Sequence, residues 1–328
     1  MVDLRSAVEA ITTDFSGVVR VDSREVSFSA AYGLADRRLK VPNTVDTRFA
    51  VASGTKGLTA LVIGSLLDDA LLALDSPARA LLGDDLPLID PAVTVEHLLA
   101  HTSGIGDYAD EETNPPLAVP VQSLDTTEDY LPALDGHPTN FAPGERFSYN
   151  NGAYVVLALL AERATGRPFP ELVRERVCEP AGMVHTGFPR SDELPENTAT
   201  GYLDGVRTNV FSLPVRGSGD GGAYSTVADF HALWPAFLGG RIASKDTVAA
   251  FTEPRNDYPK GNLRYGLGFW LHAKRKTVVL SGYDAGVSFE SAHDPTTGYT
   301  YTVVSNTAEG AWPVAKVIAS YFDGLVAR

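Results

Sequence analysis

The chain has 328 residues, 44% hydrophobic and 21% charged, enough for an ordinary soluble fold that buries a large core in two lobes. A formal net charge of −14 argues against nucleic acid or an anionic membrane as partner, since both require basic patches. Cys178 is the only cysteine, which rules out an internal disulfide and suits a reducing compartment.

In chain order, residues 1–11 read as an amphipathic helix with acidic residues and no continuous apolar stretch, so no signal peptide is evident. The longest apolar stretches elsewhere fall short of a membrane span. A cytoplasmic location is the expectation. Residues 17–21 and 25–31 alternate like strands around a short turn. The middle of the chain is mostly helix and loop, with the Pro- and Asp-rich residues 107–143 expected to be the most irregular. Strands are predicted again over 266–272, 277–280, 286–292 and 299–305, with a turn at Asp294-Pro295-Thr296-Thr297-Gly298, and a final helix over 313–326. Terminal strands and helices around a helical insertion predict an α/β chain of the α+β type, an antiparallel sheet flanked by helices plus an all-helical lobe. Within one unit, the sheet lobe would take residues 1–50 and 200–328 and the helical lobe 51–199. The site is expected in the cleft between them.

Ser53-Gly54-Thr55-Lys56 heads a segment, residues 58–67, that is apolar on every side and therefore predicted to be a buried helix. Residues three apart share a helical face, which places the Lys56 amine beside the Ser53 hydroxyl. Burial disfavours an ammonium, so Lys56 is expected to accept the serine proton, directly or through a neighbour. The Ser53 backbone N–H would lie among the unpaired donors of the first turn, where negative charge is favoured. Ser-x-x-Lys alone is weak, since chance supplies it roughly once in a chain of this length. A second element follows about a hundred residues on. Tyr149 and Asn151 lie in Phe147-Ser148-Tyr149-Asn150-Asn151-Gly152, just before an apolar helical run at 153–160, on a loop at a helix start. The plainer readings are a half-buried tyrosine and a helix cap.

With these motifs the chain resembles the serine hydrolases related to class C β-lactamases, DD-peptidases (penicillin-binding proteins) and β-lactamase-fold esterases. The resemblance runs over nearly the whole length. It includes Phe15-Ser16-Gly17-Val18-Val19, Ala31-Tyr32-Gly33-Leu34-Ala35-Asp36, the run from Val95 through His101-Thr102-Ser103-Gly104 to Ile105, and Pro143-Gly144-Glu145-Arg146-Phe147. It continues through Gly221-Gly222-Ala223-Tyr224-Ser225-Thr226, Tyr265-Gly266-Leu267-Gly268-Phe269-Trp270 and Val303-Val304-Ser305-Asn306. The resemblance implies catalytic roles for Ser53, Lys56 and Tyr149, and a role for Asn151 in positioning substrate or lysine. Which of Lys56 and Tyr149 is the base stays open, because they titrate as a pair.

The family's third motif, a cation, then a small residue, then Gly, corresponds to Leu280-Ser281-Gly282, with Tyr283-Asp284-Ala285-Gly286 following. The glycine is expected because the strand backbone approaches the substrate. A rival register, Lys276-Thr277-Val278, puts Val where Gly is needed. With Leu280 in the cation's place, recognition of a substrate carboxylate should weaken, since a desolvated carboxylate without a partner is costly. The oxyanion hole should persist, its second donor by resemblance the Tyr283 N–H opposite that of Ser53.

Other chemistries fare worse. No Gly-x-Ser-x-Gly elbow occurs. His97 and His101 are four apart on an expected helix but lack a metalloprotease glutamate, and the resemblance makes both structural. Gly217-Ser218-Gly219-Asp220-Gly221-Gly222 lacks the ending of a phosphate loop. Asp220 and Asp284 would favour a cationic substrate group if they face the pocket. The expectation is a serine hydrolase acting on a small ester, amide or peptide through a Ser53 acyl-enzyme, without cofactor or metal. The alternatives are a β-lactamase or D-alanyl-D-alanine carboxypeptidase and, in another class, a non-catalytic penicillin-binding-like module. Neither the substrate nor the oligomeric state is legible, since the resemblance implies pocket walls made by variable loops, here around 107–143 and 205–220.

Overall fold

Val18 pairs with Val304 and Val19 with Val303 across two antiparallel strands, Gly17–Asp22 and Thr300–Ser305. Successive strand residues face opposite ways. Val18 and Val304 therefore enter a core shared with the central helices, whereas Val19 and Val303 enter a second core that contains Leu4, Val8, Ile318 and Phe322 of the terminal helices. The structure, a computed structural model, describes residues 3–110, 117–258 and 262–326.

The two strands lie in an eight-stranded antiparallel sheet. Its order is Ser27–Tyr32, Gly17–Asp22, Thr300–Ser305, Val287–His293, Val278–Asp284, Trp270–His272, Leu263–Tyr265 and Asn256–Asp257. Helices Leu4–Glu9 and Ala311–Val326 cover one face. On the other lie Val227–Leu238 and the helices Thr55–Asp68 and Asn151–Thr165, all contributing to the larger core. The fold is thus the mixed helix and antiparallel-sheet class expected. Among the described residues no helix is long and apolar enough to cross a membrane.

Thr55–Asp68 is buried from Thr55 through Leu66, as its all-round apolar sequence requires. Gly57 lets the Leu280 side chain come in, since a Cβ there would lie 2.5 Å from Leu280 Cδ2. Asn150 caps Asn151–Thr165 by accepting from Ala153 N, and left-handed Gly166 ends that helix.

Some boundaries depart from the sequence reading. Residues 266–272 are not one strand: Gly266 N donates to Phe269 O in a turn, and only Trp270–His272 is extended. Gly268 has φ +91°, and a Cβ on it would sit 2.2 Å from that of Ala60. Leu263–Tyr265 forms the neighbouring strand instead. The strand expected at 277–280 runs on to Asp284. The first helix is Leu4–Glu9, with residues 1 and 2 outside the described ones. Helix Val95–Leu99 stops before His101, whose φ is +56°, so His97 and His101 do not share a helical face. Between 107 and 143 the chain is largely turns and short helices such as Thr127–Tyr130 and Leu131–Leu134, with 111–116 outside the described residues.

Candidate active site

Ser53 sits in a single 3₁₀ turn, Ala52–Gly54, that runs directly into helix Thr55–Asp68. The residue before it, Ala52, has φ +46°. A non-glycine residue in the left-handed region carries strain that the surrounding structure must hold, and here it sets the direction in which Ser53 leaves the turn. Lys56, three residues on, is 2% exposed. Its Nζ donates to Ser53 Oγ at 3.0 Å, to Asn151 Oδ1 at 2.8 Å and to the Asp220 carbonyl at 2.8 Å. Three oxygen partners match the donors of an ammonium, and such pairing is what permits a buried cation.

Asn151 comes to Lys56 from the start of the second long helix. Its Nδ2 donates to Ala109 O at 2.7 Å, which turns Oδ1 toward the amine. The Asp107 carboxylate accepts from Asn151 N at 2.8 Å and Gly152 N at 3.0 Å, placing negative charge on the helix N-terminus. The helix cap is Asn150 rather than Asn151. Tyr149, one residue earlier, lays its ring 4.9 Å from Lys56 Nζ, parallel to Trp270 and against His101.

The third of these partners of Lys56 belongs to a glycine-rich strap across the Ser53 turn. Gly219 O accepts from Thr59 Oγ1 at 2.6 Å, and Gly219 runs so close to the Tyr154 carbonyl that a Cβ would meet it at 2.0 Å. The strap also presents the Asp220 side chain, which accepts from Tyr108 OH at 2.6 Å. Burial holds the Asp220 carboxyl above its ordinary range, an effect partly offset by Lys56 and by the Tyr108 hydrogen bond. Burial, reinforced by Asp220, pushes the Tyr108 phenol well up.

A cleft of about 770 Å³ opens over Ser53 and Asn151. Tyr108, Tyr130, Tyr224 and Tyr283 contribute aromatic wall, and Asp110, Asp220 and Asp284 contribute carboxyl groups. Among the described residues lining it there is no lysine or arginine.

The third motif divides. Tyr283 is 53% exposed at the cleft edge, whereas Leu280, Ser281 and Gly282 do not line it. Leu280 is 2% exposed and packs in the core on Gly57. Gly282 faces the turn that carries Ser53: a Cβ would lie 2.1 Å from Val51 O and 3.1 Å from Ser53 N. The space a side chain would need there is thus taken by the protein's own backbone. Ser281 pairs with Glu290 and projects from the opposite face. Lys276 lies before the strand, in the turn linking it to Trp270–His272. Among the described residues no group of three His, Cys, Asp or Glu could hold a metal ion. His97 instead accepts from Thr94 N in a capping box. Asp107, the Asp220 carbonyl and Trp270 were not singled out from the sequence, although Trp270 stands within a quoted family match.

This fold, with a serine and lysine joined at the base of a cleft, defines the class. A model of the beta-lactamase family matches residues 6–324, so the chain belongs to that family, whose fold carries serine hydrolases. The chain is 36% identical over 202 residues to esterase EstB of Burkholderia gladioli, covering 58% of this chain and 50% of that protein. It is 32% identical over 293 residues to a D-aminopeptidase of Brucella anthropi, covering 82% of this chain and 52% of the other. A solved penicillin-binding protein from Bacillus halodurans superposes with TM-score 0.89 at 35% identity, covering 96% of this chain and 98% of that one. The chain spans about half the length of these two curated relatives.

Proposed function

We propose that the protein hydrolyses a small ester or amide through an acyl-enzyme on Ser53. The reading is carried by one contact, the buried Lys56 amine at 3.0 Å from the hydroxyl of a cleft-lining serine. With the Lys56 and Tyr149 pair one proton short of ammonium plus phenol, Ser53 Oγ attacks the carbonyl carbon and passes its proton to the pair. The same pair returns a proton to the leaving alcohol or amine as its bond to the acyl carbon breaks. Water then attacks the acyl-enzyme, releases the acid and restores Ser53. The negative oxygen formed at each attack would be held by the N–H groups of Ser53 and Tyr283, and one such donor is typically worth about 3 kcal/mol in the barrier.

Two features favour a neutral or ammonium-bearing substrate over a carboxylate. Leu280, which by resemblance stands where the family has its cation, packs into the core, and the cleft wall carries Asp110, Asp220 and Asp284 with no lysine or arginine among its described lining residues. An amine-bearing acyl group, as the name of the D-aminopeptidase relative implies for that protein, suits such a wall. The Ser53–Lys56–Asn151 contacts speak against a non-catalytic module.

The test compares kcat/KM for a short nitrophenyl ester, a D-amino acid anilide and a chromogenic cephalosporin. Turnover of the ester or anilide at least about 100-fold above that of the cephalosporin is expected, a difference of roughly 2.7 kcal/mol in the barrier. Cephalosporin hydrolysis as fast as ester hydrolysis would overturn the role given to Leu280 and the carboxyl wall.

A further inference from the structure

His101 is fully buried, yet among the described contacts its Nε2 has no hydrogen-bond partner. An unpaired buried donor is costly, and an apolar ring of similar shape would avoid the cost. What the imidazole supplies must therefore lie at its other nitrogen. Nδ1 accepts from Asn150 N at 3.1 Å, and the His101 carbonyl accepts from Ser148 N at 2.9 Å. Ser148 and Asn150 flank Tyr149. One residue thus ties the peptide on both sides of the tyrosine. Its ring also lies against the Tyr149 ring, with centroids 4.4 Å apart, and is backed by Tyr154 at 4.9 Å and Tyr265 at 4.8 Å.

The backbone of His101 is part of the device. Its φ of +56° turns carbonyl and ring toward the same segment. Histidine and asparagine tolerate this conformation better than most residues. Because Nδ1 accepts an N–H, the ring proton belongs on Nε2.

We propose that His101 is a positioning residue, which grips the chain on both sides of Tyr149 and so holds the phenol ring against the Lys56 amine. The proposal rests on the reading that Tyr149 shares the proton transfer with Lys56. Burial, and then the charge of Lys56, hold the imidazole well below its ordinary pKa. The other titratable groups packed on it, Tyr149, Tyr154 and Tyr265, supply no carboxylate to stabilise an imidazolium. The Nδ1 acceptor therefore persists through neutral and mildly acidic pH.

Two variants separate positioning from bulk. His101→Phe keeps an aromatic ring without the acceptor, and His101→Asn restores an acceptor and suits the positive φ. With a nitrophenyl ester, His101→Phe should lower kcat about tenfold or more, change KM less than about threefold and displace the pH–rate profile, while His101→Asn recovers most of kcat. Both variants staying within about twofold of the parent kcat, or Asn falling as far as Phe, would overturn the proposal. Nitrogen NMR of the unreacted parent protein decides it even if His101→Phe fails to fold. The expected spectrum is a neutral imidazole protonated on Nε2 at the ordinary histidine midpoint and below it. A proton on Nδ1, or a midpoint near the ordinary histidine value, would refute the grip whatever the kinetics show. Should Ser53→Ala retain turnover, the acyl-enzyme reading fails by itself, and the imidazole spectrum still decides His101.

Discussion

Asn151 meets the Lys56 amine with its oxygen because the rest of the residue is already committed. Nδ2 is held by the Ala109 carbonyl and the backbone N–H by Asp107. Removing the side chain leaves the amine with Ser53 and the Asp220 carbonyl among those three partners. Losing one hydrogen bond to a charged group costs about 1.5–3 kcal/mol, so Asn151→Ala should lower kcat by roughly 10- to 150-fold on a nitrophenyl ester. Steady-state kinetics with a parallel melting curve checks this, and a folded variant with unchanged kcat would show that Asn151 does not hold the lysine in its working position. At this scale the sequence was partly legible. Ser53 and Lys56 could be paired because side chains three apart meet on a helix, and Tyr149 with Asn151 because they stand at a helix start. The Asp220 carbonyl could not be found that way, since every residue carries a carbonyl and only the path of the glycine strap selects this one.

The strand Val278–Asp284 and the turn Ala52–Gly54 are packed backbone to backbone, with Gly282 at the point of contact. A methyl group there would lie 2.1 Å from Val51 O, a neighbour that cannot swing aside as a flexible side chain would. Gly282→Ala should therefore cost about 1–3 kcal/mol of stability, read as a lower urea midpoint, and should reduce turnover by moving the Ser53 turn. An unchanged midpoint would mean that the strand and turn separate easily. The sequence marked Gly282 as a close approach to the substrate, and the approach to Val51 was not legible, because a glycine shows that space is short without showing what fills it. Residues 266–272 were misread for a related reason. Their pattern suits a strand, but the positive φ of Gly268 and its contact with Ala60 come from packing on helix Thr55–Asp68, which no local pattern reveals.

Across the whole molecule, the two ends of the chain build the sheet and its outer helices, while the middle supplies most of the elements that bring Lys56, Tyr149 and Asn151 together. This architecture was legible because the family motifs recur along nearly all of the chain and because terminal strands enclosing helices leave few arrangements for one core. The cleft wall was less so: Tyr108, Tyr130 and Asp110 come from a stretch of turns and short helices whose path is set by packing rather than by periodicity. In the proposed reaction the wall would select the substrate, and the chemistry would require Ser53 to become covalently attached. Rapid acid quench of the protein mixed with nitrophenyl acetate, followed by mass spectrometry of its peptides, tests that directly. One acetyl group on the peptide carrying Ser53, absent in Ser53→Ala together with turnover, is the expected result. Continued turnover in Ser53→Ala, or an acetyl group that accumulates on a different residue at the rate of turnover, would contradict it.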